Sequence, residues 1–190
     1  MNEKFEKAGK GLRFLFLAQI LALVTIVVAF IPVLGWIAGL VLSVVIFVLE
    51  LYGPYVARSS HPNFQNAFYA SIAAVIVGII SAFFQEGFMA GLMDIVTSLV
   101  GFCITYFVCT AAGELLAEKG DTEQAARAGL IWKLYAICTV VSILCTLTGW
   151  IPVLNILMGV AAIISGIVSL VAYILLIIFY YKASNSLKAA

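Results

Sequence analysis

A chain of 190 residues with a formal net charge of +1, of which 65% are hydrophobic and only 10% charged, has too little polar surface to cover a water-soluble domain. Its mean hydropathy of +1.19 makes lipid the natural solvent. The few, scattered cations leave no basic stripe large enough for nucleic acid.

A helix needs about 20 mostly apolar residues to cross the hydrocarbon core. Runs near 12–31, 33–56, 66–84, 92–112, 129–149 and 152–181 meet that length, so the sequence predicts an all-α integral membrane protein with six transmembrane helices in a single membrane domain. Three similar two-helix hairpins account for its length, as units of about 5–62, 63–121 and 122–190. Ala8, Ala67 and Ala126 recur at one fixed spacing, and Ile31-Pro32-Val33-Leu34 with Trp36 is echoed by Ile151-Pro152-Val153-Leu154 beside Trp150. The middle unit lacks that turn.

The 10 basic residues set the orientation. Lys4, Lys7, Lys10 and Arg13 precede or open helix 1, Arg58 joins helices 2 and 3, Lys119, Arg127 and Lys133 flank the link from helix 4 to helix 5, and Lys182 and Lys188 follow helix 6. Short loops rich in Lys and Arg stay cytoplasmic, which predicts a multi-pass protein of the inner cell membrane with both termini inside. Tyr52, Tyr55, Trp132, Tyr180 and Tyr181 gather toward the inner interface, with Trp36 and Trp150 toward the outer one.

In chain order, residues 2–10 are polar enough to form a short interfacial helix or a tail. The apolar run behind them is a full span, so helix 1 reads as a retained anchor and not a cleaved signal. Ala18 and Ala22 stack on one of its faces, and Gln19 needs a partner inside the bundle. Helix 2 is expected to end, or to kink, at Gly53-Pro54. Glu50 sits about 21 Å along the axis from Trp36, inside the inner leaflet. A carboxylate at that depth costs several kcal/mol unless paired, hydrated or protonated. Lys133 falls at a comparable depth, about 25 Å from Trp150. Three roles for Glu50 follow: a lock to Lys133 or Arg13, a contact to a solute or ion, or a residue beside a water-filled inner vestibule. Gln19, Glu50, Lys133 and Arg13 are therefore the candidate intramembrane polar site.

Between helices 2 and 3, Arg58-Ser59-Ser60-His61-Pro62 reads as a solvated turn, since a Ser beside a His lacks the third group and oxyanion site that nucleophilic catalysis needs. Ala70, Ala74, Gly78 and Ala82 on helix 3 lie four apart and suggest a packing seam or dimer interface. The middle outer turn supplies Glu86 and Asp94, too few acids for a filter, and Glu114 ends helix 4 near the interface. The 4 cysteines, Cys103, Cys109, Cys138 and Cys145, all fall within spans. They offer neither a disulfide framework nor metal-ligand spacing.

There is no phosphate-binding glycine loop, HExxH or GxSxG, so no enzyme, cofactor or metal is expected. A transporter or channel subunit for a small solute or cation leads. A non-catalytic scaffold or assembly protein acting through helix contacts is the alternative. The partners expected are the lipid bilayer and a second copy or another membrane subunit, with no nucleic acid.

Overall fold

The computed structural model describes residues 3–29, 31, 34–84, 86–148 and 152–188, the side chains of 34–36 and 152–162 excepted. Among the described residues every regular element is an α-helix: α1 (Glu3–Val28), α2 (Leu34–Ala57), α3 (Pro62–Ser81), α4 (Gly87–Glu118), α5 (Thr122–Thr148) and α6 (Pro152–Lys188). All six are long and apolar enough to cross a membrane. Val27, Ile37, Leu40, Ile76, Ile137 and Ile163 stand exposed on the outside of the bundle. An apolar surface of that extent is untenable in water and suits acyl chains. The matched Ile-Pro-Val-Leu turns fall largely on Pro32, Val33, Trp150 and Ile151, outside the described residues, as does the side chain of Trp36.

Helix boundaries depart from the apolar runs mostly at one end of the bundle. α1 begins at Glu3, so residues 3–10 are its first turns and not a separate interfacial segment. Lys7 pairs with Glu3 at 2.7 Å and Lys10 with Glu6 at 2.5 Å, solvent-screened pairs one helical turn apart that add little. Packing contributes more: Ala8 and Gly9 are buried, and Ser184 Oγ on α6 donates to Gly9 O at 2.8 Å. α2 likewise continues through Gly53-Pro54 to Ala57, where Pro54 is fully buried. Tertiary burial holds that turn despite the amide that proline lacks.

The links at this end are specified residue by residue. His61 caps α3, its Nδ1 accepting from Asn63 N at 3.2 Å, with Pro62 in the first turn where a missing N–H costs nothing. Gly120, at φ +90°, closes α4 as Asp121 N donates to Leu116 O at 2.9 Å. Asp121 Oδ1 then accepts from Gln124 N at 3.2 Å and opens α5.

Each helix packs against the next in sequence, α6 returns to α1, and α4 also touches α6. The six therefore close a ring. Lys4 bonds Glu118 at 2.6 Å and Lys119 Nζ donates to Ser186 O, so both ends of the described chain meet at one end of this ring. The dry core lies there too, with Leu12, Phe64, Val108, Leu115, Ile131 and Phe179 all buried. α1 and α2 cross closely in the same region: a Cβ on Gly11 would stand 2.5 Å from Gly53 O and 2.7 Å from Ala57 Cβ. Toward the opposite end the packing opens.

Candidate functional site

Above that dry core the ring surrounds an open cavity of about 1060 Å³, lined by residues from all six helices. Leu15, Ile104, Leu176 and Tyr180 form its floor, and it extends to Ala82 just beyond the far end of α3. The walls are largely apolar. Glu50 is the single charged side chain among the described lining residues.

Glu50 reaches the cavity from α2, and its carboxylate Oε1 accepts a hydrogen bond from Gln19 Nε2 on α1 at 3.2 Å. On α6, Tyr173 donates its hydroxyl proton to Gln19 O at 3.1 Å. These three residues tie α1, α2 and α6 together beside the floor. Tyr135 and Tyr180 complete the polar end, with Tyr180 buried. A carboxylate in lipid needs pairing or water. Glu50 is itself exposed, with one neutral amide and an open cavity as its surroundings.

The structure separates the four residues of the candidate polar site into two groups. Gln19 and Glu50 meet. Lys133 is exposed on α5, its ammonium 5.8 Å from the Trp132 ring centroid, and Arg13 is exposed on α1. Among the described residues no ion pair joins either cation to Glu50. Depth along a helix matched Lys133 to Glu50, but depth does not fix which face points inward.

The stripe of small residues on α3 also has a different setting from a tight seam. Ala74, Gly78 and Ala82 line the cavity, and a Cβ added at Gly78 would meet nothing within 4 Å. Ala70 is half-buried one turn nearer the chain ends. Small side chains here leave volume, whereas Gly11 and Gly53 let backbones touch. α2 and α3 make the sparsest contact of any neighbouring pair in the ring. Exposed Phe47 on α2 and exposed Ile79 on α3 both belong to the cavity lining.

Sequence reasoning also missed two polar features. Hydroxyls line the cavity at helical spacing, Ser98 and Thr105 with Gly101 on α4, and Thr139 and Ser142 further from the floor than Tyr135 on α5. That spacing is the signal that could have found them. His61, expected in a solvated turn, is instead largely covered: its Nε2 lies 2.7 Å from Glu114 Oε2 on α4 while Nδ1 caps α3. With Nδ1 accepting, Nε2 carries the proton and donates. Its neighbour Ser60 is buried, with an Oγ that finds no hydrogen-bond partner among the described residues.

No three His, Cys, Asp or Glu side chains among the described residues stand close enough to hold a metal ion. No family model, curated protein or solved structure matches the chain.

Proposed function

We propose that this protein is a solute carrier, or the solute-binding subunit of one, in the inner cell membrane, with its binding site in the cavity beside Gln19 and Glu50. One observation supports this above the scaffold reading: a large cavity, entered by all six helices, that ends on a carboxylate with no countercharge among the described residues. A protein acting only through helix contacts has no use for such a space, and unfilled volume destabilises a bundle. The sealed floor favours a carrier over an open channel, since a carrier must close one side while the other is open.

The finer organisation belongs to the same proposal. Both termini are cytoplasmic, because the cations cluster at the end of the ring where the chain ends meet. The cavity then faces outward. The three hairpin units, 5–62, 63–121 and 122–190, surround it as related pieces, each contributing lining residues.

Two-sided access is the test. In a variant whose one cysteine is Cys138, which lines the cavity, a membrane-impermeant maleimide is added to either face of sealed, oriented vesicles. A carrier labels from both faces, more slowly from the cytoplasmic one. Labelling from the outer face alone, unchanged by any solute, overturns the carrier reading.

A further inference from the structure

Three hydroxyls that line the cavity spend their protons on backbone carbonyls, and with the charge of Glu50 they select the ligand. Ser71 Oγ donates its proton to Ala67 O at 2.9 Å and Thr105 Oγ1 donates to Gly101 O at 3.2 Å, each back to its own helix. Tyr173 likewise commits its hydroxyl proton to Gln19 O, and Gln19 directs its amide N–H at Glu50. A hydroxyl has one proton and two lone pairs. Once the proton is engaged on a backbone carbonyl, only acceptor capacity remains toward the cavity. The carboxylate of Glu50 accepts through two oxygens, and Gln19 occupies one of them. Ser71, Thr105 and Tyr173 thus offer free lone pairs and Glu50 one negative charge, with the hydroxyls of Tyr135 and Tyr180 beside them. No Lys, Arg or His side chain is among the described lining residues.

The rest of the wall is apolar, with Phe47, Val75, Ile79 and Phe102 among its residues. The volume stands at the upper end of the roughly 300–1,000 Å³ typical of small-molecule sites. We infer that the ligand is an amphiphilic organic monocation, an apolar body carrying one ammonium group with N–H donors, whose head binds Glu50 beside Ser71, Thr105 and Tyr173. An anion would meet a carboxylate that no cation among the described residues neutralises. A fully hydrated inorganic cation would leave most of the apolar wall uncovered. A primary or secondary ammonium neutralises Glu50 and donates to the oxygens of Ser71, Thr105 and Tyr173, whose own protons are engaged, in charge-assisted bonds stronger than neutral ones. This inference rests on the reading of the cavity as a solute site and adds the class of solute.

The test uses the full chain in lipid nanodiscs and equilibrium binding of three probes of like size: 4-phenylbutylammonium, its N-trimethyl form and 4-phenylbutanoate. The ammonium is expected to bind saturably, the trimethyl form more weakly, and the carboxylate not at all above the empty-nanodisc background. Glu50→Gln keeps a partner for Gln19 and should weaken the ammonium at least tenfold, with Glu50→Asp intermediate. Gly78→Phe fills the cavity where an added Cβ meets nothing and leaves Glu50 in place; it should abolish binding of both ammonium probes. Each variant is checked for an unchanged gel-filtration profile. If Gly78→Phe abolishes binding but Glu50→Gln leaves it intact, or if the carboxylate competes equally, the cavity remains a solute site and the cation inference fails. If Gly78→Phe changes nothing, or no probe binds saturably, the cavity is not the site and both readings fall.

Discussion

His61 Nε2 and Glu114 Oε2 meet at 2.7 Å, and the same imidazole caps α3 through Nδ1. One side chain therefore joins the turn after α2, the start of α3 and the last turns of α4. Loss of an N-cap costs about 0.5–2 kcal/mol. His61→Ala should lower the unfolding midpoint in detergent by that order, while His61→Asn, which can still cap, should recover most of the loss. Equal midpoints for the wild type and His61→Ala would show that the contact contributes nothing.

The crossing of α1 and α2 makes a sharper demand. Gly11→Ala would press a methyl onto Gly53 O and Ala57 Cβ, and relieving such overpacking costs typically about 1–3 kcal/mol. Gly39→Ala and Gly129→Ala meet nothing within 4 Å and should be neutral or slightly stabilising, since alanine favours helix. Thermal unfolding of the three variants side by side checks the contrast. A neutral Gly11→Ala would mean the helices are further apart than described.

A charge that waits for a ligand is costly while unliganded. Glu50→Gln removes that charge and preserves a group able to bond Gln19, so the empty protein should unfold at the same or a higher temperature than wild type. Gln19→Ala strips the carboxylate of its amide partner and should lower the midpoint, because an unpaired group at membrane depth loses its compensation. Differential unfolding without ligand reads both signs at once. A large drop with Glu50→Gln would make Glu50 a structural bond and not a binding group.

The six helices are legible in the sequence because apolar length alone decides what can cross lipid. The need of Gln19 for an interior partner was legible for the same reason. The facing of each helix was not. In water, a core face differs from a solvent face in polarity, and periodicity exposes it. In a bilayer the outside is as apolar as the inside, so Ala74, Gly78 and Ala82 read equally well as a seam or as a cavity wall. Lys133 failed as a partner on this account, since axial rise places a residue at a depth and leaves its direction open. His61 was hidden differently: a capping imidazole looks like any loop histidine until Glu114, far along the chain, arrives beside it.

The cavity is what everything above turns on, and site-directed spin labelling along α3 addresses it directly. Labels replace Ala74 and Gly78, which line the cavity, and Ile76 and Ile80, which stand exposed on the outside, and power saturation compares a polar nickel chelate with oxygen in lipid vesicles. Positions 74 and 78 should favour the chelate and positions 76 and 80 oxygen, alternating with the helical turn. Uniform oxygen preference at all four positions, with no chelate access at 74 or 78, would contradict a ring that encloses an open polar-ended cavity.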